Sequence, residues 1–246
     1  MEMIYKKEFQ LTDLHVDCFL RLKPSVLLYF AQEVAADHAF RLGTGWETLH
    51  EKNLFWAVIR HKVQITRLPV SGETITVETW PLPATRVAYP RATIAYDAEG
   101  KELFRTMALW VLMDTKTRAM VLPGKSGVDV PGILRGLEAD TPGSIAPKPL
   151  EHTAMHTVGY AMLDRNGHMN NTRYLDWLDD LLPAEFHKEH PVKAFTVCYL
   201  SEAKEGQQIT LDWALSEDRL LAVDLRRLKE DESGNQERVF AAHVQF

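Results

Sequence analysis

Residues 164–177 read DRNGHMNNTRYLDW, and residues 17–30 read DCFLRLKPSVLLYF. At an offset of 147 Asp17 falls on Asp164 and Phe30 on Trp177, and both stretches run into apolar residues at helical spacing. A second match follows in the same order. GETITVETW at 72–80 aligns with GQQITLDW at 206–213, where Gly72 meets Gly206, Ile75 meets Ile209 and Val77 meets Leu211 at an offset of 134. Two ordered matches within one chain predict an internal duplication. The drop from 147 to 134 gives the first copy about 13 extra residues, expected in the loop GTGWETLHEKN.

The composition between the copies agrees. Residues 123–149 hold five prolines and five glycines of the chain's 12 and 13, which marks a linker. The expected division is 1–122, a Pro/Gly-rich linker over 123–150, and 151–246. In the first copy Val26, Leu27, Phe30, Ala31, Val34, Ala35, Ala39 and Leu42 form a helical stripe, with Pro24 suited to the first turn and Gly43 to the stop. In the second, Tyr174, Leu175, Leu178, Leu181 and Leu182 form one face while Asp176, Asp179 and Asp180 lie off it, on a solvated side. Strand patterns follow each helix, from FWAVIRHKVQITRL to ELFRTMALWVLMD and from FTVCYL to RVFAAHVQF. The predicted class is α+β, each half a long helix packed on an antiparallel meander.

Function classes narrow with composition. Apolar residues at 46% and charged residues at 25% describe a globular chain, and the run MALWVLM at 107–113 is far short of the ~18 residues of a membrane span. The opening MEMIYKKEFQ lacks the apolar core of a secretory signal, so a cytoplasmic location is expected. A net charge of −6 disfavours nucleic acid as a partner. Cys18 and Cys198 have no zinc-like spacing and read as buried spectators. His152 and His156 alternate as on a strand face rather than as metal ligands, so no metal is expected.

The motif Asp164-Arg165-Asn166-Gly167-His168-Met169-Asn170-Asn171, followed by Tyr174 and Trp177 and by Tyr199 to Glu202, resembles the acyl-acyl carrier protein thioesterases of bacteria and plant plastids. The resemblance extends to SGETITVETWP and RATIAYDAEGKEL in the first half. It implies a tandem double hotdog fold, hydrolysis of acyl carrier protein thioesters to free fatty acids, no cofactor, and acyl carrier protein as the partner. It also implies an acyl-chain cavity in the first hotdog, with Val26, Phe30 and Val34 as candidate lining beside their reading as plain core. Two fused hotdogs already supply the pairing that single ones get by dimerising, so monomer and homodimer both stay open.

The motif's chemistry can be read directly. Thioester hydrolysis needs an activated water and a stabilised oxyanion. Asp164, Asn166 and His168, two apart in an extended segment, would project to one side. Asn170 and Asn171 would open the helix, whose free N–H groups favour negative charge. The family's carboxylate matches Glu202, 34 residues past His168, and either Glu202 or Asp164 would act as general base. Plant members carry cysteine after that glutamate; here Ala203 stands there, which favours water attack. Arg21 and Phe19 replace His168 and Asn166 in the first copy, so only the second would be catalytic. An acyl-CoA thioesterase, a hotdog dehydratase and a non-catalytic acyl-binding module are the alternatives. Arg60, Lys62, Arg86, Arg91, Arg118 and Lys125 are the basic candidates for docking an acidic carrier.

Overall fold

The computed structural model of the chain describes residues 3–229 and 234–246. It forms two compact units, the first ending at Pro142 and the second beginning at Gly143. The boundary falls inside the Pro/Gly-rich stretch, yet several residues of that stretch are packed. Val128 and Val130 join the cluster of Leu42, Leu54, Tyr89 and Leu112, and Ala139 packs with Trp80 and Ile94. At Gly132 the backbone comes so close that an added Cβ would stand 2.1 Å from the Leu82 carbonyl carbon. Residues up to Pro142 thus finish the first core rather than tether two domains.

In the first unit strand β1 (Tyr5–Gln10) precedes helices α1 (Pro24–Arg41) and α2 (Trp46–Glu51). Then come β2 (Leu54–Ile65), β3 (Thr74–Pro81), β4 (Tyr89–Tyr96), β5 (Glu102–Asp114), the short β6 (Met120–Val121) and the one-turn helix α3 (Pro123–Ser126). The order across the sheet is β1-β3-β4-β5-β2, antiparallel throughout, with β6 on β5. In the second unit β7 (His152–Thr157), α4 (Arg173–Asp179), α5 (Ala184–Glu189), β8 (Ala194–Tyr199), β9 (Gln208–Leu215), β10 (Leu220–Leu228) and β11 (Gln236–Gln245) follow one another. Their order, β7-β9-β10-β11-β8, repeats the first. Each unit is a helix packed on a bulged antiparallel sheet, the hotdog arrangement. Among the described residues no helix is long and apolar enough to cross a membrane.

The duplication is visible bond by bond. Leu11 N–H donates to Glu73 O and Gly72 N–H to Leu11 O; Val158 N–H donates to Gln207 O and Gly206 N–H to Val158 O. Gly72 and Gly206 both take a left-handed φ, +89° and +78°, which glycine adopts at no steric cost. Tyr5 pairs with Thr79 as His152 pairs with Trp213, so both offsets hold in the ladders.

α1 forms as the stripe predicts. Pro24 sits in the first turn, Gly43 follows the end at φ +72°, and Leu27, Leu28, Ala31, Val34 and Ala35 are buried along one face. The helix packs on β1 and β3, and Lys7 of β1 reaches Glu33 and Asp37 of α1 at 2.6 and 2.8 Å. The second helix departs from expectation. α4 covers only seven residues and stops at Asp179, so Leu181 and Leu182 lie beyond it. The extra residues of the first copy therefore sit mainly in α1, 18 residues long, and not in the loop at 43–53. That loop contains α2, whose six residues match the six of α5.

A buried histidine gives this core an acid sensitivity. His61 in β2 is 2% exposed, and its Nε2 lies 2.8 Å from Thr106 Oγ1. Burial pushes its pKa down to about 3, while an unfolded histidine titrates near ~6.5. Below ~6.5 the unfolded chain takes up a proton that the folded one refuses, so the stability contributed by neutral His61 is complete above that pH and falls as pH drops towards 3. Between pH 7 and 5 the loss is expected to be about 2 kcal/mol. Urea unfolding at both pH values should show it, with a shallower pH dependence in His61→Gln. Equal slopes in both proteins would mean that the ring protonates without unfolding.

Candidate active site

The loop that follows β7 closes on its own backbone. Asp164 Oδ1 accepts the N–H of Asn166 at 2.8 Å and of His168 at 3.3 Å, and Asp164 Oδ2 lies 3.4 Å from Asn166 Nδ2. Gly167 N–H returns to Asp164 O at 3.0 Å, with Gly167 left-handed at φ +77°. The segment is therefore a tight Asp-closed turn and not the extended strand assumed from alternate spacing. A carboxylate two residues before an amide N–H satisfies it locally, and this competes with an extended ladder.

The first unit builds the same loop. Asp17 Oδ1 accepts from Phe19 N at 2.8 Å and Arg21 N at 2.9 Å, and Leu20, a non-glycine, takes φ +63°. A left-handed leucine is unfavourable on its own, so the aspartate contacts must hold the turn. Arg21 then folds back on Asp17, with Nη2 3.0 Å from Oδ2.

In the second unit the loop has an added outcome. Met169 N–H donates to Ala203 O at 2.8 Å and His168 bridges to Lys204, so the loop runs antiparallel to residues 203–204. This brings His168 Nε2 to 3.3 Å from Glu202 Oε2. The His168 side chain is 17% exposed and that of Glu202 40%, so solvent reaches the pair from one side. By the offset of 134, Leu68 holds the place of Glu202 in the first unit, which has Arg21 and no acid there. Of the residues read from the sequence, Asp164, Asn166, His168 and Glu202 are thus gathered in one loop and its neighbour.

The helix start differs from expectation. Asn170 N–H donates to Met162 O, and Asn170 Oδ1 accepts from both N and Oγ1 of Thr172 at 2.9 Å. α4 begins only at Arg173, whose N–H is taken by Asn170 O. Asn170 thus closes a turn just ahead of the helix, whose N-cap is Thr172, and the backbone donors at 170, 172 and 173 are spent. Asn171 is fixed from below by Tyr199, whose hydroxyl donates to Asn171 O at 3.0 Å. Burial pushes the Tyr199 phenol far above its usual range, so that proton stays in place.

One positioning residue escaped the sequence. Arg227 on β10 donates from Nη1 to Glu202 O at 2.5 Å and to Gln207 Oε1 at 2.7 Å, and from Nη2 to Ser201 Oγ at 3.1 Å. Its guanidinium also pairs with Glu237. It clamps the turn carrying Glu202, but Arg226-Arg227 in sequence reads as the polar end of a strand. Other expectations need correction. Cys18 is exposed, although Cys198 is buried. Arg91 is 8% exposed and offers no docking surface. Arg118 lies over the Phe55 ring and Lys62 pairs with Asp140. His152 and His156 face Trp213 and Trp177 with ring centroids at 4.4 and 4.9 Å.

The first unit contains a largely apolar cavity, partly open to solvent, beside α1. Val26, Phe30 and Val34 do not line it. Phe30 stacks on Phe9 at 4.2 Å and Val34 is fully buried. The cavity instead meets α1 along Gln32, Ala35, Ala36 and Ala39, where short side chains leave space.

Comparison with known proteins gives a consistent result. Residues 2–122 match the acyl-ACP thioesterase N-terminal domain family, and residues 148–243 match the acyl-ACP thioesterase C-terminal domain family. A chloroplastic palmitoyl-acyl carrier protein thioesterase of Gossypium hirsutum is 26% identical over 218 residues, covering 81% of this chain and 52% of that protein. A chloroplastic dodecanoyl-[acyl-carrier-protein] hydrolase of Cinnamomum camphora is 26% identical over 81% of this chain and 56% of its own length. The chain spans about half the length of these plant relatives. Among solved structures, an acyl-ACP thioesterase from Bacteroides thetaiotaomicron superposes with a TM-score of 0.82 at 25% identity, over 99% of this chain and 98% of that one. The 12:0-ACP thioesterase of Umbellularia californica shares the fold at a TM-score of 0.80 and 21% identity, over 100% of this chain and 97% of that one.

Proposed function

The chain belongs to the acyl-acyl carrier protein thioesterase family, and from that premise we propose that it hydrolyses acyl-acyl carrier protein thioesters to free fatty acid and carrier thiol. The observation that carries the reading is the His168–Glu202 pair at 3.3 Å, built on a loop whose other copy lacks both side chains.

The work that Asp164 does in its own loop supports a division of labour. Asp164 accepts three donors of its own loop, and Asp17 does similar work in a copy without the histidine, which supports a positioning role for Asp164. Glu202, partly solvent-exposed and next to His168, then takes the general-base role on water. As the water attacks the acyl carbon, its proton passes to the Glu202–His168 pair, and the collapse of the tetrahedral intermediate expels the thiolate, which takes up that proton. The backbone donors at residues 170, 172 and 173 are spent, so the carbonyl oxygen falls to the side-chain amides of Asn166 and Asn171. Such donors are worth roughly 10²–10³ in rate. Ala203, buried at 0% exposure, offers no nucleophile.

The test is release of free thiol from matched acyl carrier protein and acyl-CoA substrates across chain lengths. The expected result is turnover of both, with kcat/KM higher for the carrier protein because it adds a docking surface. Turnover of CoA thioesters alone would reassign the carrier. An ultraviolet-absorbing enoyl product from 3-hydroxyacyl thioesters, without thiol release, would instead establish a dehydratase.

A further inference from the structure

The second sheet ends on a strand with an open side, since β7 pairs with β9 alone among the described strands. Along an antiparallel strand the backbone groups of successive residues point alternately to either side. Val158, the residue after β7, turns both of its groups to the β9 side, its N–H donating to Gln207 O and its O accepting from Gly206 N. Alternation back along the strand turns His156, Ala154 and His152 to β9 as well, and leaves the N–H and C=O of Thr153, Met155 and Thr157 pointing outward. None of those outward groups has a backbone partner among the described residues. The side chains of the same three residues share one face of the sheet and are exposed, Met155 at 62%. His156 lies on the opposite face, stacked on Trp177 of α4.

An open edge is a template for another strand, and proteins commonly blunt it with charge. The terminal strand of the first sheet does so. β1, YKKEFQ, pairs Lys6 with Glu78 at 2.5 Å and Lys7 with Glu33 and Asp37 at 2.6 and 2.8 Å. β7, HTAMHT, carries no lysine, arginine, carboxylate or proline.

The occupant that fits this edge is written in its own sequence. The outward residues read Thr, Met, Thr, the same in both directions. About a two-fold axis through Met155, Met155 of one copy lies opposite Met155 of the other and Thr153 opposite Thr157, so each pair can exchange two N–H···O bonds. Threonine facing threonine is also a favourable cross-strand pair. Any slip of the register sets at least one of the three residues against a position outside β7, so this axis is the one that matches them all.

We propose that β7 is a self-pairing edge, which joins two copies of this chain into a dimer through an antiparallel β7–β7 contact with Met155 on the axis. The pairing rests on this strand and not on the hydrolysis proposed above, so either reading stands without the other.

Sedimentation equilibrium of the full chain over the micromolar range is expected to show twice the chain mass. Met155→Pro removes an outward N–H from each copy and no bond to β9, and Met155→Lys sets two like charges face to face on the axis. Each is expected to raise the dimer dissociation constant by about 10–10²-fold. Met155→Glu alone should do the same, whereas an equimolar mixture of Met155→Lys and Met155→Glu should recover the dimer, because the axis sets residue 155 against itself. The exposed Met155 side chain makes the two charged variants mild ones, and an unchanged far-ultraviolet circular dichroism spectrum checks that they fold. A wild-type chain that stays monomeric throughout would overturn the proposal and leave the edge to a strand of another protein. So would a dimer that survives in folded Met155→Lys, or a mixture of the two charged variants that stays monomeric.

Discussion

His168→Ala and Glu202→Gln are each expected to lower kcat on an acyl thioester by about 10²–10⁴, with KM nearly unchanged and the melting temperature preserved. Neither side chain is part of the core. Their side chains are 17% and 40% exposed, and the loop that carries them is held by backbone bonds and by Asp164. In the proposed mechanism the two groups, 3.3 Å apart, share one proton path, so the double variant should lose little more than either single one. Steady-state thiol release by all four proteins checks this. Multiplicative losses would mean that the side chains act on separate steps, and full activity in Glu202→Gln would remove it from the base role.

The duplication was readable because a few residues cannot be exchanged without breaking the backbone. Gly72 and Gly206 hold the same left-handed turn, and Asp17 and Asp164 close the same loop, so both pairs survived while the residues around them diverged. Helix α1 was equally legible, since an 18-residue element with one buried face leaves a long periodic trace. α4 was not: Leu181 and Leu182 keep the apolar character of a helix face after the helix has ended, and seven residues are too few for periodicity to fix an end. Glu202 was reached as the partner of His168 through the family resemblance, and the geometry of the loop was not legible. Alternate spacing suggested three side chains projecting together, whereas the aspartate turns inward because its own backbone N–H groups are the nearest donors. Arg227 and Arg91 left no signal. An arginine on a strand looks the same in sequence whether it clamps a turn, lines a cavity or faces water, and the distinction arises only from what other strands bring beside it.

The second large effect separates chemistry from positioning at Asp164. Asp164→Ala removes the acceptor of two backbone N–H groups, and Asp17→Ala does the same in the first unit, so each is expected to cost about 1–3 kcal/mol of stability. Only one of them should touch the reaction. Asp164→Ala lets the turn before His168 relax, and a displacement of ~1 Å at a reacting group costs roughly 10² in rate, whereas Asp17→Ala loosens a loop that carries Arg21 and leaves kcat unchanged. Asp164→Asn is the discriminating variant, because its Oδ1 still accepts both N–H groups although the charge is gone. A kcat within about ten-fold of wild type is expected, far above that of Glu202→Gln. Chemical unfolding and thiol release measured on the same preparations decide the matter. If Asp164→Asn folds with wild-type stability and loses as much activity as Glu202→Gln, the negative charge of Asp164 acts in the reaction itself, and the base would have to be assigned to the Asp164–His168 side of the site.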